Sequence, residues 1–69
     1  MSNATTEQVL AYIIRFRAQY GVSPTVREVQ AGLDIRSTSV VHYHLELLVE
    51  AGRLRPALPG QHTRNYVPA

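Results

Sequence analysis

The sequence predicts a mainly α fold: three short helices followed by a small β-hairpin, in one domain. Three observations predict it. Apolar residues recur at helical spacing in three separate stretches before Gly52. Each stretch opens on a Ser or Thr positioned to cap a helix. After Gly52 the period shortens to the alternation of a strand, with a Pro-Gly turn signal between two such segments.

The first helix is expected from Thr5. Thr5 with Gln8 three residues on makes a capping box, in which each side chain satisfies the other's backbone N–H. Val9, Tyr12, Ile13, Phe16 and Tyr20 then form one apolar face, widened by Leu10 and Ile14. Gly21 suits a left-handed stop. Val22-Ser23-Pro24 is an extended link, because Pro24 drives Ser23 out of helical geometry. Thr25 with Glu28 repeats the capping box and opens a short second helix with Val26, Val29 and Leu33 inward; Gly32 weakens its end. Asp34-Ile35-Arg36 is a tight turn. Ser37 caps a third helix, about 37–51, whose inward residues are Val41, Leu45, Leu48 and Val49. Gly52 closes it. Arg53-Leu54-Arg55 and Asn65-Tyr66-Val67 read as the strands of a hairpin turning at Pro59-Gly60 and ended by Pro68. Residues 1–4 are expected to be a disordered start or cloning remnant, with the domain over 5–69.

Composition narrows the function. The chain has 69 residues, of which 45% are hydrophobic and 17% charged, which is globular rather than disordered usage. A core this small leaves little room for an enclosed active site, and the sequence reads as a non-enzyme. Without cysteine there is no disulfide framework, Cys-ligated zinc or thiol nucleophile. No apolar run approaches the ~20 residues of a membrane span, and no secretory leader is visible. The expected compartment is cytoplasmic. The seven basic residues are all arginine and oppose five acids, for a net charge of +2. Arg53, Arg55 and Arg64 lie after residue 52, where no acid occurs, so the C-terminal end suits a polyanion.

Two helices joined by a tight turn, the later one polar on its outer side, match a helix-turn-helix. In that motif the second helix enters the DNA major groove and its early residues meet base edges. With Val41, Leu45 and Leu48 inward, about 100° per residue turns Ser39, Tyr43, Glu46 and Glu50 outward, flanked by Val40 and His42. The first half of that face is uncharged and the second acidic, so only the first two turns can lie deep in a groove. Ser39, Val40, His42 and Tyr43 are the candidate base contacts, hydroxyl, imidazole and phenol to base edges and Val40 to a thymine methyl, while Ser37 and the free N–H groups at the helix start can bind a phosphate. Thr25, Arg27 and Arg36 near the helix starts, and Arg53, Arg55, His62 and Arg64 on the hairpin, are the candidate backbone contacts. Plainer roles stand beside these. Ser37 can serve only as a cap, Tyr43 as a lone surface aromatic and the hairpin arginines as solubilising charge.

The runs Gly21-Val22-Ser23-Pro24-Thr25-Val26-Arg27-Glu28-Val29 and Ile35-Arg36-Ser37-Thr38-Ser39-Val40-Val41-His42-Tyr43-His44-Leu45 resemble the N-terminal DNA-binding domain of the LexA repressor family. The resemblance extends from about Thr5 to Val67 and is looser in the hairpin. It implies a winged helix-turn-helix in which the third helix reads an operator in double-stranded DNA and the hairpin is the wing. It places the operator-reading positions on Ser37, Ser39, Val40, His42 and Tyr43. Asp34 stands where the family turn usually has glycine, Gly32 where a helix alanine is typical, and Asn65 where a wing glycine is common. The family's C-terminal domain cuts its own linker with a Ser-Lys pair. This stretch holds no lysine, so that activity is not carried over. Specificity from one such domain calls for a second copy on an adjacent half-site.

Other classes fit less well. His42 and His44 sit about 200° apart on a helix and do not converge on one metal. No cofactor and no small-molecule substrate are expected, and no motif assembles a nucleophile with a base. A winged helix that binds protein is the alternative, favoured by Glu46 and Glu50 and disfavoured by the arginines.

Overall fold

The computed structural model describes residues 4–55 and 66–69. Its order is α1 (Thr6–Tyr20), α2 (Val26–Gly32), α3 (Thr38–Glu50), β1 (Leu54–Arg55) and β2 (Val67–Pro68). Both capping boxes form as the sequence predicts. The Thr5 hydroxyl accepts from the Gln8 N–H while the Thr5 N–H donates to Gln8, and Thr25 and Glu28 repeat the exchange at α2. Ser37 caps α3, its hydroxyl accepting from the Val40 N–H at 3.4 Å.

The helix ends are built from backbone bonds. At the end of α3, Gly52 is left-handed at φ 75°; its N–H reaches the Val49 carbonyl and the Arg53 N–H reaches that of Leu48. This is a Schellman closure. The turn after α2 repeats it with Asp34 in the glycine position at φ 55°. The Asp34 N–H donates to the Ala31 carbonyl and the Ile35 N–H to that of Gln30. Aspartate tolerates this conformation better than most residues, so the turn keeps its shape. Ile35, treated by its position as a turn residue, is buried in the core, the apolar residue that commonly follows a Schellman turn.

The core is Val9, Leu10, Ile13, Val26, Val29, Ile35, Val41, Leu45, Leu48 and Leu54. Helix α3 packs on both α1 and α2. Two expectations are corrected. Tyr20, placed on the inward face of α1, is 60% exposed, and Ile14 is also exposed. The helix outruns the core at its C-terminal end, and Tyr20 instead stacks on Phe16 with ring centroids 4.5 Å apart. Ala4 is partly buried against the core, and residues 1–3 lie outside the described residues.

Gly32 has a role that helix propensity hides. A β-carbon there would overlap the hydroxyl end of Tyr12. The Tyr12 hydroxyl donates to the Glu28 carbonyl at 3.2 Å, so glycine lets the ring lie across α2. Helix α2 accordingly runs through Gly32.

The two strands are antiparallel, with Leu54 opposite Pro68 and Arg55 opposite Val67. Leu54 is buried between exposed Arg53 and Arg55, the alternation the sequence gives. Pro68, expected to end the second strand, is part of it. In a two-stranded sheet each strand is an edge, where a missing N–H costs nothing if it faces away from the partner. The Ala69 N–H continues the pairing to the Arg53 carbonyl at 3.0 Å. The Pro59-Gly60 turn, Asn65, His62 and Arg64 lie outside the described residues.

Asp34→Gly is expected to raise stability by about 1 kcal/mol by relieving the left-handed backbone, read as a higher denaturation midpoint; a fall would show that the turn needs the carboxylate. Gly32→Ala is expected to lower stability although alanine is the better helix former by about 1 kcal/mol. Combining it with Tyr12→Leu should recover the propensity gain.

Candidate nucleic-acid interface

Burial of Val41, Leu45 and Leu48 turns the other side of α3 to solvent. Ser39, His42, Tyr43, Glu46 and Glu50 are all exposed. Tyr43 is 60% exposed, with its ring edge-on to that of His44 at 5.5 Å. The outer face is therefore uncharged over its first two turns and acidic over its last two, as the helical spacing requires.

The remaining two candidates on this face are placed differently. Val40 is partly buried and packs against the core, leaving only part of its side chain available. Ser37 is partly buried and its oxygen is engaged in capping. Its hydroxyl proton remains a donor. Beside α3, the starts of α2 and α3 form a cleft lined by Thr25, Val26, Arg27, Thr38 and His42. Arg27 is exposed there, while the Thr25 oxygen is held in its capping box. Thr38, not singled out by sequence, joins His42 in this cleft because positions four apart on a helix share a face.

Arg36 is exposed just ahead of α3. Arg53 directly precedes β1 and Arg55 lies in it, but Arg53 is ion-paired with Glu7 of α1, so a phosphate would compete for it. Both members are largely solvent-exposed, and such pairs are worth at most about 1 kcal/mol. His62 and Arg64 fall in the residues left undescribed.

The histidines separate as the spacing predicts. His42 is exposed, while His44 is partly buried and joined through Nδ1 to the Thr6 hydroxyl at 2.8 Å, linking α3 to the start of α1. Among the described residues no three His, Asp or Glu side chains come together as a metal-binding group. No helix among them is long and apolar enough to cross a membrane.

Arg17 is not among the residues that the sequence singles out. It is partly buried and donates to the Ser23 hydroxyl at 2.8 Å, and Ser23 donates to the Tyr66 carbonyl at 2.7 Å. The available signal was a basic residue in the last turn of α1 ahead of a serine held extended by Pro24. Nothing in sequence spacing brings residue 66 to that pair.

The chain matches the LexA DNA binding domain family over residues 1–61. It is 49% identical over 49 residues to LexA repressor 1 of Geobacter sulfurreducens, which covers 71% of this chain and 24% of that protein. It is 42% identical over 50 residues to the LexA repressor of Roseiflexus sp., covering 72% and 23%. The LexA repressor of Limosilactobacillus fermentum is 38% identical over 55 residues, covering 77% and 26%. The chain thus spans about a quarter of the length of these curated relatives. Three capped helices, a tight turn between the second and third, and an antiparallel strand pair agree with that match: the chain belongs to the LexA DNA-binding-domain family and is a DNA-binding winged helix-turn-helix.

Proposed function

We propose that this domain reads operator sequence in double-stranded DNA as part of a transcriptional repressor, with α3 in the major groove. The observation that carries this reading is the exposed, uncharged first half of α3. Ser39, His42 and Tyr43 offer hydrogen-bonding groups there, beside Arg27 at the start of α2. Base edges in the major groove are read by such groups, and no acid intervenes until Glu46. Val40 supplies an apolar edge for a thymine methyl, and the Ser37 hydroxyl proton is available to a base or phosphate at the helix start. Thr25, Arg27, Arg36, Arg53, Arg55, His62 and Arg64 hold the flanking backbone. These contacts set affinity and salt dependence, whereas the α3 contacts set preference.

One domain touches few base pairs, so a second copy on an adjacent half-site completes recognition. The role is binding rather than catalysis and uses no cofactor or small-molecule substrate. It places the protein with DNA in the cytoplasm. A protein-binding role has one observation in its favour, a cleft lined by Glu46, Val49, Glu50 and Tyr66 on the acidic half of the same helix.

Selection from a randomised duplex pool, followed by salt titration on the enriched duplex, tests the reading. A DNA reader yields an enriched motif and a steep loss of affinity with salt; a protein adaptor yields neither. Tyr43→Ala is expected to cost about 1–3 kcal/mol on the enriched duplex and to blur preference. Arg55→Ala should weaken all duplexes alike and reduce the salt slope by about one. Ser37→Ala is expected to lower stability by about 1 kcal/mol through loss of the cap. Ser37→Asp should keep the cap and stability but weaken duplex binding, because its carboxylate faces phosphates.

A further inference from the structure

Ser23 is the one buried polar side chain among the described residues, at 1% exposure. It lies in the link between α1 and α2 and joins three parts of the fold. Arg17, in the last turn of α1, donates to its hydroxyl oxygen at 2.8 Å. The hydroxyl proton goes to the Tyr66 carbonyl at 2.7 Å. A donor carrying full charge polarises the hydroxyl, so the second bond is strengthened by the first. Tyr66 immediately precedes β2; it packs against the core and lines one cleft with Glu46, Val49 and Glu50 of α3. The relay therefore fixes the point at which the returning strand rejoins the domain. The other strand is tied to the same helix through Arg53 and Glu7, but that pair is exposed and screened by salt. The buried relay is the firmer of the two ties.

We propose that Arg17 and Ser23 are positioning residues for DNA binding: their hydrogen-bond relay to the Tyr66 carbonyl sets the direction of the wing base relative to α3, so that wing and recognition helix engage one duplex together. Neither residue touches DNA in this scheme. The proposal rests on the reading above in which the wing holds the flanking backbone. It adds that α1, remote from the recognition face, decides whether the wing can do so.

The test compares two duplexes, the pool-selected site with its flanks and the same site trimmed to the base pairs facing α3. Binding of wild type, Ser23→Ala, Arg17→Met and Arg17→Lys is measured on each, with helix content checked by circular dichroism. Loss of one hydrogen bond of this kind corresponds to about tenfold in an equilibrium constant. Ser23→Ala and Arg17→Met are therefore expected to lose about that factor on the flanked duplex and nothing on the trimmed one. Arg17→Lys, which keeps a charged donor, should bind both as wild type does.

A second readout needs no DNA. Nuclear Overhauser contacts between the Tyr66 ring and the Val49 methyl groups should weaken in Ser23→Ala and Arg17→Met while the Val9 and Leu48 methyl shifts stay in place. Equal loss on both duplexes, or unchanged Tyr66–Val49 contacts, overturns the proposal. If wild type gains nothing from the flanks, the wing reading itself falls. If wild type gains and Ser23→Ala gains equally, only the relay falls.

Discussion

Burial of the Val41, Leu45 and Leu48 stripe is the constraint on which the proposed recognition face depends. Fully burying a side chain of this size is worth about 1.5–3 kcal/mol, against at most about 1 kcal/mol for an exposed ion pair such as Arg53 with Glu7. Three such residues on one side of a 13-residue helix leave one favourable rotation about its axis. That rotation sends Ser39, His42 and Tyr43 outward together. Rotation by a half turn would bury Tyr43 and expose Leu45. The proposed recognition face is thus the geometric remainder of core packing, and α1 and α2 supply the other wall of that core.

The direction in which α3 points is set separately, by the turn before it. Asp34 in the left-handed region closes α2, and Ile35 directly after it drops into the core. Ser37 then restarts the chain as a cap. Three consecutive local devices leave few degrees of freedom between the two helices. The cleft of Thr25, Arg27, Thr38 and His42 exists because this turn brings both helix starts to one side. The Thr6–His44 bond at the start of α1 and the Arg17–Ser23–Tyr66 bonds at its end tie α3 and the strand pair back to α1. Polar tertiary contacts therefore gather around α1, while the recognition side stays open.

Much of this was legible in the sequence, for local reasons. The capping boxes at Thr5 and Thr25, the Ser37 cap and the glycine stops involve residues within a few positions of each other. The helical period likewise identified which side of α3 faces inward. Tyr20 was misplaced because periodicity extends a face indefinitely, whereas the core ends where no neighbour remains to cover it. Pro68 was excluded from a strand by a rule written for central strands, and in a two-stranded sheet there are none. Val40 fell among the candidate base contacts by its angle, which does not register that the core also claims it, whereas Ser37 entered through the family resemblance beside a capping role that was already legible.

The sequence by itself determined the three helices, their caps, the tight turn at Asp34 and the polarity of the third helix's two sides, because each is decided mainly by residues within a turn or two of one another. Tertiary structure alone decided what meets across long separations: Tyr12 over Gly32, His44 on Thr6, Arg53 with Glu7, and Ser23 between Arg17 and the Tyr66 carbonyl. A hydroxyl at position 23 carries no record of a carbonyl 43 residues away. The two meet only when the apolar core has collapsed and brought the ends of the fold together.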